Sequence, residues 1–150
     1  MRIDSAGSVT KPLQPAFLAL PASGQEDIAI NSSVSISFGT EVFDQGGNFA
    51  SNTFTAPATG KYQFNVNLVI SNIDSAASYY ELKLNTSNRT FSLVVIDPDF
   101  GQDNVYLTLV GSVITDMDTS DTVEVQLTQA AGSAQSDIET TSTFSGFLAC

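Results

Sequence analysis

Residues 54–71 have the sequence FTAPATGKYQFNVNLVIS, and this stretch decides the fold class. After a turn at residues 57–60, apolar and polar residues alternate, with Val69 as the one exception. The apolar positions are Tyr62, Phe64, Val66, Leu68 and Ile70. Alternation with a period of two is typical of a β-strand with one buried face. At about 3.3 Å per residue this strand would be roughly 40 Å long, so we predict that it forms one wall of a β-sandwich.

Turn signals divide the rest of the chain into shorter segments of the same kind. Residues 33–38 alternate serine with apolar residues, and residues 41–44 are predicted to continue that strand. Residues 79–85 and 90–96 are predicted to pair as a hairpin. Further strands are predicted over 105–115 and 123–127, and no segment has a helical period. About eight to ten short strands separated by turns favour a sandwich or a barrel.

Length and charge exclude several classes of protein. The chain has 150 residues, which is the usual size of one domain. It has 16 acidic and 5 basic residues, a net charge of −11. Because nucleic-acid binding needs clustered Lys and Arg, we expect no nucleic-acid partner. No apolar run approaches the ~18 residues of a membrane helix, so membrane insertion is not expected either.

The residues that enzymes use most are missing from the sequence. There is no histidine, so Cys150, the only cysteine, has no histidine partner for nucleophilic catalysis. No G-x-S-x-G, P-loop or G-x-G-x-x-G motif is present. We therefore predict a non-enzymatic protein without catalytic residues.

Two aspartate-rich loops are candidate metal sites. They contain Asp97, Asp99 and Asp103 in one loop, and Asp116, Asp118 and Asp121 in the other. Carboxylate oxygens at this spacing suit Ca²⁺, which makes calcium the one candidate cofactor, although neither loop has a complete EF-hand pattern. The alternative is that these residues are solvated turn acids, since Asp is common in turns.

Two segments, residues 93–96 and 106–114, are apolar on both faces. A sandwich buries only the inner face of each sheet, so outward apolar residues need another cover. No helix in the chain can provide it, and we therefore predict a subunit interface. The alternative is that both segments are central strands under long loops. The candidate interface residues are Leu93, Val95, Tyr106, Thr108, Val110 and Phe147.

Three stretches carry a resemblance to a known family. They are PAF at 15–17, FTAPATGKYQF at 54–64 and TFSGFL at 143–148. They match the opening strand, the F-x-A-P-x-x-G-x-Y-x-F core and the F-x-G-F-L ending of the C1q-like globular head, a jelly roll related to tumour necrosis factor. The chain departs from the family in the short segment before the core motif, in Val66 at the last motif aromatic, and in lacking a collagen-like repeat.

The resemblance implies an all-β jelly-roll sandwich of about ten antiparallel strands, assembled as a homotrimer. Residues 15–150 would form this domain, and residues 1–14 an N-terminal arm for attachment. Residues 3–9 also resemble the phrase that precedes C1q-like tips in bacteriophage fibre and other virion proteins.

We therefore hypothesise a trimeric structural module of a bacteriophage virion, on a fibre, a tail tip or the capsid surface as a decoration protein. Loops at one end would bind a host-surface glycan or protein as a receptor, and the arm would bind other virion proteins. The alternative is a secreted or cell-surface C1q-like ligand or lectin module of a cellular organism. The sequence assigns no ligand-binding residues.

Overall fold

The structure is a computed structural model that describes residues 1–3 and 5–150. In chain order its strands are β1 (Arg2–Ile3), β2 (Val9–Thr10), β3 (Ala16–Leu20), β4 (Ser33–Ser35), β5 (Thr40–Gln45), β6 (Phe49–Ala50), β7 (Thr53–Thr55), β8 (Gly60–Ile73), β9 (Ala77–Thr86), β10 (Thr90–Ile96), β11 (Asn104–Met117), β12 (Thr122–Ala131), β13 (Asp137–Ile138) and β14 (Thr143–Leu148). The structure has more strands than the eight to ten predicted. Several of the additional strands are only two residues long, which is too short for a periodic pattern to show in the sequence.

The strands form two six-stranded sheets and a separate two-stranded ribbon of β1 and β2. The first sheet has the order β10-β9-β12-β7-β6, with β4 also paired with β12. The second has the order β11-β8-β14-β3-β5, with β13 also paired with β8. From β3 onward the chain changes sheet at most connections, and the paired strands are antiparallel. The predicted all-β jelly-roll sandwich is therefore confirmed.

The core lies between the sheets and is organised around β8. Its five alternating apolar side chains, Tyr62, Phe64, Val66, Leu68 and Ile70, are each 1% exposed or less, as predicted. Phe17 of the second sheet lies 5.0 Å, ring centre to ring centre, from Phe54 of the first sheet. Phe17 is also 5.0 Å from Phe144. The aromatic residues of all three motifs therefore form one cluster that joins the two sheets.

The turn before β8 is closed by a side chain of the same strand. The hydroxyl of Tyr62 donates a hydrogen bond of 2.7 Å to the carbonyl of Ala58. Burial raises the pKa of Tyr62, so the phenol keeps its proton and remains a donor. This bond gives the tyrosine of the core motif a second role besides filling the core.

Residues 33–38 differ from the predicted single strand. Only Ser33–Ser35 pairs with β12, and the chain then crosses to the other sheet, where β5 pairs with β3. The predicted continuation over 41–44 is therefore wrong. Ile36 and Phe38 are still buried. The Ile36 N–H donates to the Val125 carbonyl of β12 at 2.9 Å, whereas the Phe38 N–H donates to the Asn52 side chain at 2.7 Å in place of a strand neighbour. The alternation therefore continues for two buried residues beyond the end of β4.

Leu93 closes the side of the sandwich where β10 and β11 meet. The register of β10 skips this residue, which leaves it in a bulge. A Cβ on Gly111 would lie 2.6 Å from the Leu93 Cβ, so glycine leaves the room that Leu93 fills. Leu93 is half-buried against the core, and within residues 93–96 only Val95 is exposed. The packing of β11 therefore covers Leu93 in part, and cover of Val95 by another subunit stays a prediction.

We expect Gly146→Ala to lower the free energy of unfolding by about 1–3 kcal/mol, because it overpacks the core. A Cβ at Gly146 would lie 2.5 Å from Phe64 Cδ1 and 2.8 Å from Phe17 Cε1. Urea unfolding would measure the change. Gly24→Ala is the matched control, since its Cβ would make an ordinary 3.5 Å contact. Equal midpoints for the two variants would contradict the expectation.

Candidate functional site

The outward face of the second sheet exposes large apolar side chains. β11 presents Tyr106, Val110 and Ile114, which are 61%, 66% and 58% exposed, and β14 adds Phe147 at 44%. The register places Ile114 opposite Gln63, and Gln63 opposite Phe147, so these residues form one row across three strands. We name Tyr106, Val110, Ile114 and Phe147 the apolar face. Apolar surface of this kind with polar neighbours marks interaction sites.

The outward face of the first sheet is polar by contrast. The Lys83 ammonium donates a 2.8 Å bond to the Ser33 hydroxyl. On the same face the Ser35 hydroxyl donates a 2.8 Å bond to the Glu124 carboxylate. These side chains satisfy one another across the strands, although Val95 of β10 is exposed on this face. The two outer faces therefore differ, because the apolar face carries more of the large exposed apolar side chains.

The structure brings together most of the predicted interface residues. Thr108 is exposed on β11 between Tyr106 and Val110, and Phe147 lies two strands away on the same sheet. Val95 is exposed but belongs to the first sheet, and Leu93 packs over Gly111. Ile114 was missed, although it continues the same alternation along β11. A role for any of these residues in a trimer stays a prediction.

The two predicted aspartate loops lie at opposite ends of the sandwich. In the β11–β8 register, Asn104 pairs with Ile73 at one end and Met117 pairs with Gly60 at the other. We name the first the loop end and the second the arm end, because residues 11–14 lie beside 148–150 there. The six aspartates therefore cannot act as one site.

The loop-end aspartates accept hydrogen bonds from their own chain. Asp103 accepts from the Ser75 backbone N–H at 2.9 Å and from the Ser75 hydroxyl at 2.7 Å. These bonds, that from the hydroxyl first, lower the pKa of Asp103. Asp97 accepts from the Asp99 N–H at 3.0 Å. These bonds brace the β10–β11 loop and tie it to the β8–β9 loop.

The arm-end aspartates are bonded in the same way. Asp121 accepts from the Asp118 N–H at 2.8 Å and from the Ser87 hydroxyl at 2.9 Å, and both bonds lower its pKa. Asp116 forms a 3.2 Å ion pair with Arg89. Over residues 1–3 and 5–150, no three acidic or cysteine side chains converge to hold a metal ion. Calcium at either loop stays a prediction, and the bonded geometry fits the alternative of turn acids.

We expect thermal unfolding midpoints to be the same in calcium and in EDTA, because most of the carboxylates that would bind the ion already have donors. Differential scanning calorimetry at matched ionic strength would measure both. A midpoint that rises with calcium, and that no longer does so in Asp97→Asn, would support the predicted loop-end site instead.

Sequence reasoning missed a buried carboxylate at the loop end. Asp74 is 3% exposed and accepts hydrogen bonds from the backbone N–H groups of Ser133, Ala134 and Ala76. These bonds, that of Ala134 first, lower the pKa of Asp74 against the opposing effect of burial. Gly132 has a φ of +93°, and a Cβ there would lie 2.5 Å from an Asp74 oxygen. Asp74 therefore fixes the β8–β9 and β12–β13 loops to each other.

In the part of the chain that the structure describes, no helix has the length and apolar character needed to cross a bilayer.

The family model described as "C1q domain" matches residues 16–149. No curated protein sequence matches the chain.

Solved structures of two animal proteins have the same fold. The globular domain of zebrafish complement 1qA protein superimposes with a TM-score of 0.68 at 19% identity, over 91% of this chain and 98% of that one. Murine APRIL at pH 8.5 superimposes with a TM-score of 0.61 at 12% identity, over 90% and 98%. Murine APRIL at pH 8.0 gives 0.60 at the same identity and coverage.

Proposed function

The chain belongs to the C1q domain family, and from this premise we propose that it is a non-enzymatic binding module that acts as a homotrimer. The observation that carries the proposal is the apolar face. Its four large side chains are exposed on a sheet whose opposite side already forms the core. Burying one such side chain contributes about 1.5–3 kcal/mol of free energy. In the proposed trimer, the second and third copies would bury these side chains.

The loop end is where we propose that a ligand binds. Binding residues are often placed on loops that a rigid scaffold positions. Here the β8–β9, β10–β11 and β12–β13 loops are held together by Asp74 and Asp103. They lie at the opposite end from residues 148–150, so the arm end could be anchored while the loops meet a host-surface glycan or protein.

We further propose that the trimer is a structural module of a bacteriophage virion, on a fibre, tail tip or capsid surface. The resemblance of residues 3–9 to the segment before C1q-like tips of virion proteins supports this assignment. In that setting other virion proteins would contact the arm end. A secreted or cell-surface ligand or lectin module is the second candidate, which the resemblance to animal C1q heads favours. Density for this trimer on a purified particle would distinguish the two.

Sedimentation equilibrium of the wild-type protein tests the trimer. We expect a species of three times the 15.8 kDa chain mass at micromolar concentration. Sedimentation at the mass of one chain up to millimolar concentration would contradict the proposed function.

A further inference from the structure

The N-terminal arm exposes large apolar side chains of its own. Leu13 is 90% exposed, and Met1, Ile3 and Val9 are each more than half exposed. Ile3 pairs with Val9 across the β1–β2 ribbon, so the two side chains lie side by side on one of its faces. In a monomer these side chains stay in contact with water, because the core does not bury them. Their exposure therefore requires an explanation.

The arm is held at a fixed place on the domain. The Gln45 side chain donates to the carbonyls of Lys11 and Gln14, at 3.1 Å and 2.6 Å. The Gln14 side chain donates in turn to the carbonyl of Leu148 in β14. A cleft of about 660 Å³ lies between the arm and residues 148–150.

A second, shallower concavity joins the arm to the apolar face. Its lining includes Val9 of the ribbon, Gln45 of β5 and Phe147 of β14. Phe147 is also a member of the apolar face. A partner that covers the apolar face at the arm end would therefore also meet the arm.

Charge indicates which partner fits. Lys83 and Arg89 form ion pairs with Glu81 and Asp116, and these are the ion pairs among the described residues. Two of the remaining cations, Arg2 and Lys11, lie on the arm and line its cleft. Cations on an apolar surface fit an acidic partner. The chain itself is such a partner, because it carries 16 acidic residues and a net charge of −11.

We propose that the arm packs its apolar side chains against a second copy of this chain and so extends the self-association interface. Arg2 and Lys11 then face acidic residues of that copy and offset part of the repulsion between copies that each carry a charge of −11. This inference rests on the proposed trimer. Attachment of the arm to a different protein is the other outcome of the test below.

The test compares the trimer dissociation of three proteins by sedimentation equilibrium over a dilution series. The arm variant is Val9→Ser with Leu13→Ser, both outside the core, so that it folds as the wild type does and circular dichroism can verify this. The control is Phe100→Ser, which removes an exposed apolar side chain from the loop end. We expect the arm variant to dissociate at about tenfold higher concentration or more, and the control to match the wild type.

A Lys11→Glu variant adds an independent measurement, because it reverses charge and leaves the apolar side chains in place. We expect it to dissociate more readily than wild type at low salt, and the difference to shrink as salt screens the charges. If the wild type is a trimer and the arm variant dissociates at an unchanged concentration, the inference is overturned and the arm is left for a different protein. A wild type that is a monomer throughout overturns the proposed function instead.

Discussion

Replacing Val110 by aspartate is expected to convert the proposed trimer into monomers at micromolar concentration. Val110 lies at the middle of β11 on the apolar face and is 66% exposed in the single chain. A carboxylate there is solvated in the monomer, but each copy would have to bury it in the proposed assembly. The effective penalty is several kcal/mol per buried charge. Since about 1.4 kcal/mol is a factor of ten, we expect the association constant to fall more than about a thousandfold.

Light scattering coupled to size-exclusion chromatography would measure this loss. Tyr79→Asp is the matched control, because it adds the same charge to the outward face of the first sheet, on β9. We expect this control to remain a trimer and Val110→Asp to show an unchanged monomer fold by circular dichroism. A Val110→Asp protein that stays trimeric at the wild-type concentration would show that the apolar face is not the interface.

Asp74→Ala is expected to lower the free energy of unfolding by about 3 kcal/mol. The variant removes the buried carboxylate that accepts hydrogen bonds from the N–H groups of Ser133, Ala134 and Ala76, which are themselves exposed residues. Hydrogen bonds to a charged group contribute about 1.5–3 kcal/mol each. Urea unfolding would measure the change, with Asp99→Ala as the control because Asp99 is exposed in a neighbouring loop. A loss below about 0.5 kcal/mol, the range of ordinary surface substitutions, would contradict this role.

The same carboxylate predicts a dependence on pH. Its hydrogen bonds hold the pKa of Asp74 below the ordinary value in the folded chain. A group with a lowered folded pKa contributes stability that is present above the unfolded pKa, about 3.9 for Asp. That contribution is lost as the pH falls from there through the folded pKa. We expect the stability difference between wild type and Asp74→Asn to be constant above about pH 5 and to shrink below about pH 4. A difference that stays constant into strong acid would show that the Asp74 charge makes no contribution.

Local alternation was sufficient to predict the sandwich because it reports directly which side of a strand is buried. Along β8 every second residue from Tyr62 to Ile70 faces the core, so the pattern, the burial and the sheet agree. The aromatic residues of the three motifs indicated the family because they too are core residues. Phe17, Phe54 and Phe144 meet in one cluster. Tyr106 and Val110 were predicted as outward residues from the second apolar face of β11.

Contacts between distant segments explain what the sequence did not reveal. Leu93 has a place inside the sandwich edge only because Gly111, on another strand, lacks a side chain. In the sequence Asp74 is not distinguished from other loop acids, because the N–H groups that bond to it belong to the distant residues Ser133 and Ala134. Phe38 fits the alternating pattern of a strand, although its N–H group donates to the Asn52 side chain and not to a neighbouring strand. In each case the deciding partner is not marked by any local pattern.

The position of β14 has a consequence for how the protein is made. It is the last strand in sequence, yet it lies between β8 and β3 in the middle of its sheet. During synthesis β3 and β8 leave the ribosome long before their common neighbour, and each has an open backbone edge until residues 143–148 are free to insert. Unpaired edges of this kind recruit other chains. Folding of this domain is therefore completed only after residues 143–148 have been synthesised, and ribosomal products that stop before β14 are expected to aggregate.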